Sequence, residues 1–126
     1  MKSESIIQRK SYSFSIRIVR LYQYLMKEYK EYSLAKQILR CGTSIGANVE
    51  EASGGQSKKD FLSKLSIAYK EARETRYWLR ILKDTDYINN KMFSSIFNDC
   101  EEILRIISKI QTTVKTNIEK TSNIKP

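Results

Sequence analysis

Apolar and polar positions alternate along most of this chain with the period of an α-helix. When successive residues are turned by ~100°, Phe14, Ile18, Leu21 and Leu25 fall on one face, and basic residues occupy the opposite side. This segregation is typical of a helix that packs along one side only. It predicts a first helix over about residues 4–29.

Three further segments show the same period, over about residues 34–53, 58–83 and 90–118. We expect the hydroxyl of Ser33 to cap the second helix. Gly54 and Gly55 then end that helix in a left-handed conformation. Ser57, with Asp60 in a capping-box-like position, opens the third helix. The polar tail, residues 119–126, is predicted to fray.

The connections between these helices are short, and the sole proline is the last residue, Pro126. No segment shows the two-residue alternation of a strand, and no linker or repeat divides the chain. Since short connections between long helices favour antiparallel neighbours, we predict an all-α fold, an antiparallel up-down-up-down four-helix bundle. The whole chain, residues 1–126, is predicted to form this one domain.

The third helix carries apolar residues that the core of a bundle does not need. Ile67, Trp78 and Ile81 align roughly opposite its core face. An exposed tryptophan with two isoleucines beside it indicates a contact surface, so we predict an oligomer interface here. The alternative is a set of scattered surface hydrophobic residues, which are common.

The formal net charge is +9, which indicates either polyanionic partners such as RNA or DNA or a merely lysine-rich soluble surface. The free amides that start the third helix, next to Lys58 and Lys59, are also able to hold one phosphate. A plain serine cap explains the same segment. The remaining candidate nucleic-acid-binding residues lie on the first helix and late in the third: Lys10, Arg17, Arg20, Lys27, Arg73 and Arg80.

The chain has no histidine, the commonest general base and metal ligand. Cys41 and Cys100 both fall on predicted core faces, where a cysteine acts as a small apolar residue. We therefore expect no enzyme activity, no metal and no cofactor. No apolar run is long enough to cross a membrane, and the N-terminus lacks a secretory signal. These features predict a cytoplasmic protein with no membrane partner.

The segment from the second helix into the third carries a specific pattern. It contains Ser-Ile-x-x-Asn-x-x-Glu, then a glycine and serine turn, then Lys-Asp-Phe, then a Glu-Thr-x-Tyr-Trp-Leu run. This pattern resembles the proteins encoded within intervening sequences of bacterial 23S ribosomal RNA genes. The structural residues of the motif are Ser44, Asn48, Glu51 and Asp60, and we expect Asn48 and Glu51 to bond between helices or to the Gly54 turn.

The resemblance implies a bundle that assembles with itself into a ring-shaped homopentamer. It also implies relatedness to the accessory proteins of diversity-generating retroelements, which contact nucleic acid and a reverse transcriptase. The function expected from the residues and the resemblance together is a basic oligomeric protein that binds RNA or a nucleoprotein partner. The alternative is a protein–protein interaction module with no nucleic-acid role.

Overall fold

The computed structural model describes residues 5–124 and contains four helices. They are α1 (Ile6–Tyr29), α2 (Ser33–Ser53), α3 (Lys58–Asp84) and α4 (Asn90–Ile124). Within this part of the chain there is no strand, so the predicted all-α fold with four helices is confirmed. The predicted start of the first helix, residue 4, lies outside the described residues. The predicted end of the fourth, residue 118, was too early, because α4 continues as a helix through residues 119–124.

At α1, α3 and α4, the residue directly before the helix has a side chain that accepts a backbone amide proton. Ser5 and Gln8 form a reciprocal capping box at α1, with bonds of 3.2 and 2.9 Å. The Oγ of Ser57 accepts from the amide of Asp60 at 3.1 Å. At α4, the Oδ1 of Asn89 accepts from the amide of Met92 at 2.8 Å. The polar residues before the apolar stripes thus fix where α3 and α4 begin.

Both ends of α2 differ from the sequence prediction. Ser33 is already helical and does not cap; the carboxylate of Glu31 accepts the amide proton of Leu34 at 2.7 Å instead. Neither Gly54 nor Gly55 adopts a positive φ. A Cβ on Gly55 would lie 3.1 Å from the carbonyl oxygen of Ala52, so the tightness of the turn rather than a left-handed conformation explains glycine at that position.

Each helix packs against the next one in the chain, and α1 also packs against α4. The apolar stripes of all four helices meet in one core. Burying a large aliphatic or aromatic side chain contributes roughly 1.5–3 kcal/mol. The largest fully buried apolar side chains are Phe14, Ile18, Leu25, Ile38, Ile45, Leu65, Leu79, Leu82, Ile103 and Ile107.

Two glycines of α2 lie in close contact with α1. A Cβ added to Gly46 would lie 2.9 Å from the Oγ of Ser15 and 3.2 Å from the carbonyl oxygen of Ser11. A Cβ on Gly42 would lie 2.7 Å from the Cγ1 of Ile18. Close packing therefore offsets the low helix propensity of these glycines. None of the described helices has the length and hydrophobicity needed to cross a membrane.

Candidate functional site

Two of the four basic residues predicted on α1 are held by carboxylates of α4. The Nζ of Lys10 lies 2.9 Å from Oε1 of Glu102. Arg17 forms an ion pair with Asp99 and donates to the carbonyl oxygen and the Oγ of Ser95, at 3.2 and 2.8 Å. These two bases connect α1 to α4. Because both are already paired with carboxylates, neither is an unpaired positive charge that is free to bind a phosphate.

The other two predicted bases of α1, Arg20 and Lys27, are exposed. Within residues 5–124, no carboxylate lies within ion-pair distance of either one. Arg9 is also exposed and lies about three helical turns before Arg20, so it shares their face. Arg9 was not among the bases predicted from the sequence, although the same helical period that grouped Arg20 with Lys27 includes it.

The bases late in α3 show the same division between paired and unpaired charges. Arg76 forms an ion pair with Glu101 of α4 at 2.9 Å. Arg73 and Arg80 lie on the same side of α3 as Arg76, are exposed, and have no carboxylate partner among the described residues. Beside them, Arg105 and Lys109 of α4 line a groove together with Arg76.

The carboxylates in the middle of α4 are all neutralised by this arrangement. Asp99, Glu101 and Glu102 each pair with a base on α1 or α3. Because α1 and α3 both pack against α4, the remaining exposed bases flank α4 on two sides and leave a positive charge there. We call this set the basic surface, and its members are Arg9, Arg20, Lys27, Arg73, Arg80, Arg105 and Lys109.

Lys58 and Lys59 do not join the basic surface. They lie in the first turn of α3, and a helix rises ~1.5 Å per residue, which separates Lys58 from Arg73 by roughly 22 Å. The adjacent amide of Asp60 is already bonded to the side chain of Ser57. The structure therefore brings together Arg73 and Arg80 but places this lysine pair apart from them.

The predicted apolar contact surface on α3 is smaller than expected. Ile67 is 40% exposed. Ile81 is half-buried, and Trp78 is half-buried against the core. The indole Nε1 of Trp78 also donates to Oε2 of Glu74 at 3.0 Å. The expectation of an exposed tryptophan was wrong, because the edge of α3 on which it lies turns toward α2, where Arg40 pairs with Glu74.

A second apolar stripe, on the outside of α1, is more exposed. Tyr12, Ile16 and Val19 are 63%, 42% and 38% exposed. Their spacing of four and three residues places them on one face of the helix. They line a shallow groove with Ser15, Arg20 and Gln23. This stripe was not predicted from the sequence, although the helical period that grouped the core residues of α1 also reveals it.

Comparison with known proteins decides the family of this chain. Residues 3–109 match the family described as 23S rRNA-intervening sequence proteins. The chain belongs to this family. A crystal structure of a protein of unknown function from the S23 ribosomal protein family of Bacteroides thetaiotaomicron VPI-5482 is similar, with 50% sequence identity and a TM-score of 0.83. The similarity covers 84% of this chain and 98% of that one. Among curated proteins, none matches the chain.

In this member of the 23S rRNA-intervening sequence protein family, the motif residues do not form one network. Asn48 donates to the carbonyl oxygen of Ser44, at 2.8 Å and within α2. Glu51 reaches α3, where it pairs with Lys64 at 3.1 Å. Asp60 is exposed in the first turn of α3. Glu51 thus bonds between helices as expected, whereas the expectation that Asn48 bonds between helices or to the Gly54 turn was wrong.

The two thiols of this family member are buried. Burial, as the main cause, raises the pKa of Cys41 to about 11 and that of Cys100 to about 12. The Sγ of Cys100 donates to the carbonyl oxygen of Ala72 at 3.3 Å. Neither thiol carries the thiolate that nucleophilic chemistry needs at neutral pH. In the part of the chain that the structure covers, no three His, Cys, Asp or Glu side chains are grouped to hold a metal.

Proposed function

We propose that this protein is a non-enzymatic nucleic-acid-binding protein whose basic surface contacts the phosphates of RNA. The observation that supports the proposal is the distribution of charge around α4. Its carboxylates are paired with bases of α1 and α3, while exposed arginines and lysines beside them have no acidic partner. A surface on which exposed bases remain after the carboxylates of α4 are paired attracts a polyanion.

Binding of this kind depends on salt and discriminates little between sequences. Each phosphate that a base neutralises releases condensed counterions, so affinity falls as the salt concentration rises. Phosphate contacts position a nucleic acid without selecting its sequence. We therefore expect the protein to bind fragments of ribosomal RNA and unrelated RNA of the same length with similar affinity.

Reversing charge on the basic surface tests this proposal. We expect the double variant Arg20→Glu, Arg80→Glu to bind a fluorescently labelled RNA at least roughly tenfold more weakly, with a shallower salt dependence in fluorescence anisotropy titrations. The double variant Lys36→Glu, Lys59→Glu is the matched control, because it changes the net charge equally at two exposed bases outside the basic surface. If both variants lose RNA affinity equally, the net charge of the protein, and not this surface, determines RNA binding. RNA affinity that is independent of salt would contradict the proposal.

We also infer that the four helices alternate in direction as an up-down-up-down bundle. Several contacts between neighbouring helices support this. Ser15 lies beside Gly46 while Ile18 lies beside Gly42, so the order of residues is reversed between α1 and α2. The ion pairs between α1 and α4 show the same reversal, because Lys10 meets Glu102 and Arg17 meets Asp99. We further propose a cytoplasmic location, where RNA is available.

Self-association through the stripe on α1 is our second proposal. The chain carries a formal charge of +9, so copies repel one another wherever their bases face each other. Tyr12, Ile16, Val19 and the neighbouring Ser15 carry no charge, and Arg20 is the charged residue that lines their groove. A different face of the next copy packs against this stripe, as a closed ring requires, and buries its apolar area. The resemblance to ring-shaped homopentamers sets the expected number of copies at five.

Light scattering measures this directly. We expect a mass near five times the 14.8 kDa of the chain for the natural sequence. Ile16→Glu should lower that mass, whereas Ile67→Glu, at a residue of similar exposure on α3, should leave it unchanged. The opposite result would place the interface on α3. If the natural protein is a monomer, the stripe on α1 is available to a different protein, and retention of that partner after nuclease treatment would favour the interaction-module alternative.

A further inference from the structure

A cleft about 300 Å³ in volume opens on the basic surface between α1 and α4. Clefts of this size are at the small end of those that hold ligands. The cleft lies at the level of the carboxyl-terminal half of α1. Its lining is composed of Arg17, Arg20, Leu21, Tyr24, Met92 and Ile96.

The walls of this cleft combine apolar, aromatic and cationic groups. Leu21 and Ile96 are almost fully buried, at 3% and 6% exposure, and give it an apolar wall. Tyr24 and Met92 are half-buried and face it from the two helices. Arg20 is exposed and unpaired within residues 5–124, while Arg17 is fixed by Asp99 and Ser95.

Two other clefts on the α4 side of the molecule differ in one important respect. Asp99 and Glu102 line the neighbouring cleft, and Glu101 lines the groove between α3 and α4. The cleft at Tyr24 has no carboxylate in its lining. Among these three clefts, the cleft at Tyr24 therefore suits an anionic ligand with a flat, apolar portion best. Such a ligand contacts a cation there and no carboxylate.

The ring of Tyr24 is held in place by its neighbours. It packs edge-on against Tyr29 with 6.1 Å between ring centroids, and Tyr29 packs edge-on against Tyr87 at 5.0 Å. This arrangement connects Tyr24 to the segment between α3 and α4. A ring that is already positioned loses little conformational freedom when a ligand packs against it.

We propose that this cleft receives one unpaired base of a single-stranded nucleic acid, with the base against Tyr24 and Met92 and its phosphate on Arg20. The proposal rests on the proposed function, since the basic surface must first attract the strand. Unpaired bases stack on aromatic side chains and on arginine guanidinium groups in single-strand recognition. A duplex keeps its bases paired and stacked, so it presents no unpaired base to the cleft. The protein should therefore prefer single-stranded RNA to duplex RNA of equal length.

Three variants separate the role of the base from that of the phosphates. Tyr24→Leu removes the aromatic ring, Tyr24→Phe keeps it, and Met92→Trp fills the cleft. Tyr12→Leu is the matched control, because Tyr12 is an exposed tyrosine of the same helix outside the cleft. Each variant is first compared with the natural protein by circular dichroism. Each is then titrated with a single-stranded 12-mer and a duplex 12-mer of RNA, both carrying the fluorescent base 2-aminopurine.

We expect Tyr24→Leu to bind the single strand roughly tenfold more weakly and the duplex with unchanged affinity. Tyr24→Phe and Tyr12→Leu should match the natural protein, and Met92→Trp should behave like Tyr24→Leu. Binding should also change the emission of 2-aminopurine in the single strand, because stacking alters it. If Tyr24→Leu misfolds, Met92→Trp gives the same comparison.

Two kinds of failure are distinguishable. If the natural protein binds both RNAs in a salt-dependent way, and neither Tyr24→Leu nor Met92→Trp alters the preference, the base cleft is overturned while the basic surface stands. If the natural protein binds neither RNA, the proposed function fails and the cleft proposal fails with it.

Discussion

At the scale of single residues, Glu74 links α2 to the tryptophan of α3. Its carboxylate accepts from the indole of Trp78 and also pairs with Arg40. The hydrogen bond from Trp78, and then the one from Arg40, lowers the pKa of Glu74 below its ordinary value. The protein thus binds a proton at Glu74 less readily when folded than when unfolded. The stability that this carboxylate contributes is present above pH 4.5 and is lost as the pH falls through the lowered pKa.

The protonation of Glu74 can be followed by the fluorescence of Trp78, because Trp78 is the sole tryptophan of the chain. As the pH falls below about 4.5, we expect the emission of Trp78 to shift, because a protonated Glu74 is a weaker acceptor for the indole. Glu74→Gln should remove that transition and leave the remaining acid unfolding in place. Glu50→Gln, at an exposed glutamate of α2, is the control that should retain it. An unchanged transition in Glu74→Gln would show that another carboxylate controls it.

At the scale of elements, the glycines of α2 set how closely it approaches α1. A methyl group on Gly46 would contact both the side chain of Ser15 and the backbone of Ser11. Gly46→Ala gains roughly 1 kcal/mol in helix propensity. Forcing extra volume into a packed contact costs roughly 1–3 kcal/mol, and the backbone of Ser11 cannot rotate away as a side chain does. The cost should exceed the gain.

We therefore expect Gly46→Ala to lower the free energy of unfolding by about 1 kcal/mol in chemical denaturation. Gly54→Ala serves as the control, because the nearest atom to its added Cβ is 3.8 Å away and its φ is −93°. It should leave stability unchanged or raise it by roughly 0.4–1 kcal/mol. If Gly46→Ala is stabilising, the two helices separate at lower cost than the contact distances imply.

The helices also show which structural features the sequence pattern predicts and which it does not. The helical period predicted four helices and most of their core positions, because burial of one face imposes that period. It did not predict the ends of α2. Ser33 has the chemistry of a cap, yet Glu31 accepts from the amide of Leu34, three residues later. At Gly55, glycine is favoured because a Cβ would lie 3.1 Å from the carbonyl oxygen of Ala52, and a sequence does not distinguish this from a left-handed turn.

At the scale of the whole molecule, the sequence predicted that basic residues would cluster but not which of them would stay unpaired. Lys10, Arg17, Arg20 and Lys27 look equivalent on a helical wheel of α1. Only the placement of α4 beside α1 separates them, because it puts Glu102 and Asp99 within reach of the first two. Ion pairs between distant segments depend on tertiary packing, which leaves no periodic signal in the sequence.

This pairing yields a prediction about affinity, since carboxylates that hold bases also mask them. Asp99→Asn removes the charge that Arg17 faces and adds a positive charge to the basic surface. We expect tighter binding of RNA by several-fold and a steeper salt dependence, with the slope rising by at most ~0.9 for the one additional phosphate contact. The ion pair is partly exposed, so its loss should cost less than about 1 kcal/mol of stability.

The control for Asp99→Asn is Glu50→Gln, which removes the same charge from an exposed position on α2. Exposed charges separated by more than a Debye length, about 8 Å at physiological ionic strength, interact weakly. A change on α2 should therefore affect RNA binding less than a change beside Arg17. If both variants gain affinity equally, the attraction depends on the net charge of the molecule and not on the surface around α4. If Asp99→Asn binds no more tightly while Glu50→Gln does, the RNA contacts a different face, and the α2 side becomes the first place to search for it.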